Sequence, residues 1–197
     1  MRVLLVYCHP DPESFTAAVK ATAVSALKAA GHVVDVLDLY AEDFDPVMGR
    51  DERRAYHTAG ANEEPEPIAA HLARLKAAEA LVFVYPTWWY GQPAMLKGWL
   101  DRVFIPHATF TMPVDNKPIM GLLQNIRVIA AVTTLGSPRW WWLLVGQPGR
   151  RVLLRGIRAL CHRRCRTVWL ALHRMDEVGD DARRGFLAKV DRTLRSL

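Results

Sequence analysis

Three aromatic residues in a row, Trp88, Trp89 and Tyr90, follow Pro86 and Thr87 just after the apolar run of residues 80–84. One core cannot bury three consecutive rings, so at least one of them faces a ligand or a partner. Stacking on such rings is worth about 0.5–1.5 kcal/mol beyond the area buried, which suits a flat aromatic ligand. A dimer interface or a local core is the other use for them. Two further groups could complete a site. His9, Ser14, Phe15 and Thr16 follow the first apolar run of the chain. An imidazole, two hydroxyls and the free N–H groups of a helix start can receive a phosphate there, or Ser14 can serve simply as an N-cap. Thr133, Thr134, Leu135, Gly136 and Ser137 follow a third apolar run. Gly136 permits close backbone approach, although an ordinary turn reads the same way. The chain has no Gly-x-Gly-x-x-Gly and no Gly-x-x-x-x-Gly-Lys-Ser/Thr, so the Rossmann and P-loop readings lose their main support.

The elements that must position these groups are legible as a repeating pattern. Strands are expected over residues 2–8, 32–37, 79–85, 125–133 and 166–172, each a short β-branched or apolar run. Helices are expected over residues 14–30, with Gly31 past its end, and over 68–78, 93–104, 149–162 and 180–194. Residues 40–67 form a long charged connection with a short helical piece near 50–57, and residues 106–124 read as irregular. Strands alternating with helices require crossovers, hence an α/β fold with a parallel sheet covered on both faces. Five strands favour the flavodoxin-like order 2-1-3-4-5, whose ligand crevice opens between strands 1 and 3. The three chemistry-bearing groups are then the loops after strands 1, 3 and 4. The reading is a single domain over residues 1–197, without repeats or linkers.

Composition narrows the class. About half of the 197 residues are apolar, which marks a globular chain, and no apolar run is long enough for a membrane-spanning helix. Only Cys8, Cys161 and Cys165 occur, an odd count that argues against a disulfide framework and for a reducing, cytoplasmic setting. Cys161, His162 and Cys165 have no second ligand pair, so no metal site is expected. The net charge of +6 is concentrated from Arg139 onward. No nucleic-acid motif accompanies it, and a solvated basic helix face or a field attracting anions accounts for it. Trp140, Trp141, Trp142, Leu143, Leu144 and Val145 are too few to span a bilayer and too apolar to stand exposed without a partner. Beside Arg150, Arg151, Arg155 and Arg158 they leave open a weak peripheral contact with anionic lipid; the favoured alternative is that they roof the ligand or fill a dimer interface.

Taken together, these residues resemble the flavodoxin-like NAD(P)H:quinone oxidoreductases. The resemblance is carried by His9, Ser14 and Phe15; by Asp38, Leu39, Tyr40 and Ala41 with Phe44, Asp45 and Pro46; by Pro86, Trp89, Tyr90, Gly91, Pro93, Ala94, Leu96, Lys97, Gly98 and Trp99; by Asp101, Arg102, Val103 and Phe104; and by Thr133, Thr134, Gly136 and Ser137. It implies a tightly bound flavin, FAD or alternatively FMN. His9, Ser14, Phe15 and Thr16 would hold the phosphate, Pro86, Thr87, Trp88, Trp89 and Tyr90 would line the ring, and Thr133, Thr134, Gly136 and Ser137 would touch its far end. It implies NAD(P)H as donor, a quinone or similar acceptor, ping-pong kinetics, and a homodimer with sites at the interface. Azo- or nitroreductases, FMN reductases and accessory flavoprotein subunits of membrane transporters are the alternatives within the resemblance. In mammalian members a Tyr and a His after the Thr-Thr-Gly-Gly loop assist hydride transfer. Here Trp141 stands at about the Tyr position with no His nearby in sequence, so Trp89, Tyr90 and Trp141 are the pocket candidates and the pocket should be more apolar.

Overall fold

A computed structural model of the chain describes residues 1–58, 67–113 and 118–197. Parts of the long connection and of the irregular segment, residues 59–66 and 114–117, lie outside the described residues. Five strands, β1 (Arg2–Tyr7), β2 (Val33–Asp38), β3 (Ala80–Pro86), β4 (Val128–Thr134) and β5 (Arg166–Leu172), pair in parallel in the order β2-β1-β3-β4-β5. β3 and β4 are buried at every residue, as strands covered on both faces are. Period-two alternation sorts β1 between two cores. Val3, Leu5 and Tyr7 face α1 (Phe15–Ala29) and α7 (Asp180–Leu194). The short α2 (Arg50–Ala55) falls within the helical piece expected near 50–57, and Leu4, Val6 and Cys8 face α3 (Ile68–Ala77) and α4 (Ala94–Val103).

The ends of α1 obey capping rules. Ser14 Oγ accepts the Ala17 N–H at 3.2 Å. At the other end Gly31, at φ 79°, donates to the Lys28 carbonyl, and His32 to that of Leu27, closing a Schellman turn. Two of the conspicuous sequence segments have structural duties. A Cβ on Gly98 would lie 2.2 Å from the Pro46 carbonyl oxygen, so only glycine lets α4 approach that loop. Arg102 holds the same loop, donating to the Asp45 carbonyl at 2.5 Å and pairing with Glu52 at 3.0 Å.

Three expectations are corrected. The fourth strand begins at Val128, not at residue 125, because the Asn125 side chain donates to the carbonyls of Leu75, Lys76 and Ala78 and closes the end of α3. The helix expected over 149–162 is three different turns: α6 (Pro148–Arg151), a π-type turn over Val152–Gly156 and a 3₁₀ turn over Ile157–Leu160. Arg139–Leu144, with no helix expected, forms the short helix α5. Six residues carry too little periodicity to betray a helix, but Pro138 precedes it and Gly146, at φ 87°, follows it.

Candidate active site

All three loops meet at the carboxyl ends of the strands. After β1, Ser14 caps α1, and the first-turn N–H groups of Phe15 and Thr16 have no intrahelical acceptor. His9 accepts the Asp11 N–H on Nδ1 at 3.0 Å. The same Nδ1 lies 3.1 Å from the Asp11 carbonyl oxygen, so both ring contacts tie His9 to the backbone of this loop. The neighbouring Cys8 thiol is pushed up to about 12 by burial, so it stays protonated and is not a nucleophile at neutral pH.

After β3, the chain makes a two-residue turn of the mirror-image hairpin kind. The Trp88 N–H donates to the Gly91 carbonyl and the Gly91 N–H to that of Trp88, at 3.3 and 3.0 Å. Its central residues, Trp89 and Tyr90, have φ of 48° and 63°. Such turns favour Asn-Gly, because bulky residues pay about 1–3 kcal/mol each in the left-handed region. The surrounding structure imposes it. The Gly149 N–H at the start of α6 donates to the Tyr90 carbonyl at 3.0 Å, and Gln92 Nε2 donates to the Gly149 carbonyl at 2.7 Å. A Cβ on Gly149 would meet that Tyr90 oxygen at 3.0 Å. Trp141 Nε1 donates to Tyr90 Oη at 2.7 Å. Trp89 is left 94% exposed, with nothing covering its ring.

After β4, the Thr87 N–H donates to the Thr134 carbonyl, and the hydroxyls of Thr87 and Thr133 lie 2.8 Å apart, so the second and third loops are tied together. The loop after β5 joins them. The Met175 N–H donates to the Leu135 carbonyl at 2.9 Å, and His173 Nδ1 lies 3.3 Å from that of Ser137.

Between these loops lies a crevice in two halves. One, of about 240 Å³, is lined by His9, Ser14, Phe15 and Thr16 from the first loop, Pro86, Thr87 and Trp88 from the second, Thr134, Leu135 and Gly136 from the third, and Met175 and Asp176. The other, of about 220 Å³, is lined by Thr87, Trp89, Tyr90, Leu135, Gly136 and Ser137. Thr87, Leu135 and Gly136 belong to both. Thr133 lines neither; it is buried and acts through its contact with Thr87. Trp141 reaches the crevice only through Tyr90. Met175 and Asp176 escaped the sequence reading, although the loop after strand 5 ends on the same side of the sheet. Among the described residues neither half is lined by Lys or Arg, so an anion there would be met by N–H groups, hydroxyls and imidazole, with one carboxylate, Asp176, in the wall of the first half.

The sequence suggested no His near Trp141. In space His173 packs edge-on to Trp142, with ring centres 5.4 Å apart, but it faces away from the crevice lining. Burial and then Arg139 hold its pKa below the ordinary value. Cys161 and Cys165 are buried free thiols. Among the described residues no cluster of His, Cys, Asp and Glu could hold a metal ion, and no helix is long and apolar enough to cross a membrane.

A family model described as a flavodoxin-like fold matches residues 1–183. The chain is 34% identical over 157 residues to NAD(P)H dehydrogenase [quinone] 1 of Cavia porcellus, covering 69% of this chain and 54% of that protein. It is 31% identical over 155 residues to ribosyldihydronicotinamide dehydrogenase [quinone] of Homo sapiens, covering 69% and 64%. The chain therefore spans about half to two thirds of the length of these relatives. Among solved structures, NAD(P)H:quinone oxidoreductase from Methanothermobacter marburgensis superposes with a TM-score of 0.85 at 25% identity, covering 99% of this chain and 98% of that one.

Proposed function

The chain belongs to the flavodoxin-like fold family, and from that premise we propose that it is a flavin-dependent NAD(P)H oxidoreductase, acting from a single domain, that reduces quinones or similar acceptors by two electrons. The observation that carries this reading is the two-part crevice, with a helix N-terminus and hydroxyls at one end and a strained aromatic turn at the other. The residues present fit a flavin. His9, Ser14, Phe15 and Thr16 offer neutral donors to its phosphate. Thr87, Trp89 and Tyr90 line the ring, Pro86 and Trp88 wall the half nearer the phosphate, and Gly136 and Ser137 meet the ring's far end, with Thr133 and Thr134 behind them. When bound, the flavin supplies acceptance and release of hydride. Tyr90 Oη accepts from Trp141, which leaves the Tyr90 O–H free to donate to a carbonyl oxygen of the acceptor. Trp89 and Tyr90 exclude water from the ring face. One crevice must serve donor and acceptor in turn, so ping-pong kinetics follow.

FAD rather than FMN is favoured by room beyond the phosphate end: a cavity of about 240 Å³ that shares His9 with the crevice and is walled by Tyr7, Lys20 and Tyr40. A homodimer with sites at the interface is supported by apolar rings and side chains left bare beside the crevice, Trp89 at 94%, Trp140 at 65% and Leu144 at 70% exposure. Three free, buried thiols suit a cytoplasmic setting. The relatives' names support the acceptor class. The test is direct: the purified protein should carry non-covalent flavin, identified by the mass of the released cofactor. NAD(P)H oxidation with a quinone should give parallel double-reciprocal lines. A protein that stays colourless after incubation with FAD and with FMN rules the reading out.

A further inference from the structure

A second cavity, of about 530 Å³, is larger than either half of the crevice and shares no lining residue with them. It lies at the edge of the sheet, beside β5. Its wall is aromatic. Trp169 of β5 and Trp142 of α5 stack with planes 9° apart and ring centres 5.4 Å apart, and His173 meets Trp142 edge-on. The indole N–H of Trp169 has no acceptor among the described residues. Among the described residues, three cations from three helices complete the lining, Arg139 of α5, Arg150 of α6 and Lys189 of α7, and no carboxylate lines it.

These cations differ from the matched arginines elsewhere. Arg74 pairs with Asp35 and Glu42, Arg102 with Glu52, and Arg195 with Asp191. Among the described residues, Arg139, Arg150 and Lys189 pair with no carboxylate; Arg150 donates only to Gln147 Oε1, at 3.0 Å. Like charges converging on an apolar wall repel one another, and a bound anion removes that cost. The volume falls within the roughly 300–1,000 Å³ of small-molecule sites, and an aromatic wall with a few convergent polar groups is their usual make-up. We propose that this cavity is a second binding site, separate from the crevice, for a small planar aromatic anion, an aryl carboxylate, sulfonate or phosphate. Its ring lies against Trp169, which Trp142 backs, and its charge is met by Arg139, Arg150 and Lys189. Arginine suits the charged end because its planar fork matches two oxygens at once.

The test titrates naphthalene-2-sulfonate into the purified protein by calorimetry, with the neutral naphthalene-2-methanol as control. The expected result is sulfonate binding that exceeds binding of the neutral compound. It should weaken at high salt, where the Debye length shrinks to about 3 Å. It should weaken about tenfold or more in the double variant Arg139→Gln, Lys189→Gln, since each charged hydrogen bond counts heavily, and stay unchanged in Trp89→Ala. Arg139 and Lys189 are both exposed, so their replacement leaves the core intact; the single variant Lys189→Gln repeats the test with one charge removed. The proposal is overturned if the sulfonate does not bind, if the neutral compound binds equally well, or if binding is lost in Trp89→Ala and kept in the double charge variant.

Discussion

At the end of the crevice that opens α1, the backbone does nothing costly: Ser14 caps the helix, and the donors are the N–H groups any helix start leaves over. At the other end, two bulky residues, Trp89 and Tyr90, are held in the left-handed region by contacts from α5 and α6. In the proposed reading the first end meets charge with groups that also serve folding. The second spends conformational energy to hold rings where folding alone would not place them. Strain held by surrounding structure marks function more sharply than a cap does, so the aromatic turn is where substitution should separate stability from cofactor binding.

The largest expected effect is at that turn. The double change Trp89→Ala, Tyr90→Ala should weaken flavin binding by about 2 kcal/mol or more through lost stacking and burial, roughly thirtyfold in dissociation constant. Equilibrium dialysis checks it, and unchanged retention would move the ring site elsewhere. Gly149→Ala comes next. Its Cβ would press on the Tyr90 carbonyl and Gly91, and the shift should cost about 1–3 kcal/mol of stability. It should also lower flavin affinity, although Gly149 lines no part of the crevice. Ser14→Ala tests the relaxed end. Loss of the cap should cost about 1 kcal/mol in thermal or urea unfolding, with a smaller drop in flavin retention. Trp89→Gly sharpens the contrast by going the other way: it should raise stability of the flavin-free protein by about 1 kcal/mol while weakening the flavin. A fall in stability would show that the turn is not strained.

The smallest effect is one of pH. His173 has its pKa lowered in the folded chain by burial and then by Arg139. The unfolded chain therefore takes up this proton first, near the ordinary value of about 6.5, and the folded state loses stability as pH falls below that value. Above it the group contributes no pH dependence. Unfolding of His173→Gln should lose less stability than the parent chain between about pH 7 and 5.5. With the bare face of α5 covered in the proposed dimer, no co-sedimentation with anionic vesicles is expected even at low salt, where attraction is least screened.

Much of this was legible in the chain. Strand β5 and helix α7 fall on their expected residues, because each has one strong signal: a β-branched run in the first, acidic residues followed by an amphipathic stretch in the second. Alternation required a parallel sheet, and the order favoured for five such strands is the one found. The site loops were legible by type, since Pro86 ends a ladder and Ser14 begins a helix. Less legible were elements whose reason is non-local. Asn125 reads as a strand start and instead closes α3, fifty residues earlier. Trp140, Trp141 and Trp142 read as one apolar stretch, yet on a short helix they diverge. Trp141 turns to Tyr90, Trp142 is buried against Trp169, and Trp140 remains bare.

The sequence by itself determined the layered α/β architecture with its parallel sheet and the side of the sheet on which the three candidate loops meet. Those depend on periodicity, chain connectivity and local turn chemistry, all of which are short-range. Only the tertiary structure decided that Trp89 and Tyr90 share a strained turn, that Gly149 and Trp141 hold it, and that Arg139, Arg150 and Lys189 gather around two stacked tryptophans. Each of these joins residues distant in the chain, whose meeting is set by how helices settle on the sheet, a packing outcome that no local spacing encodes.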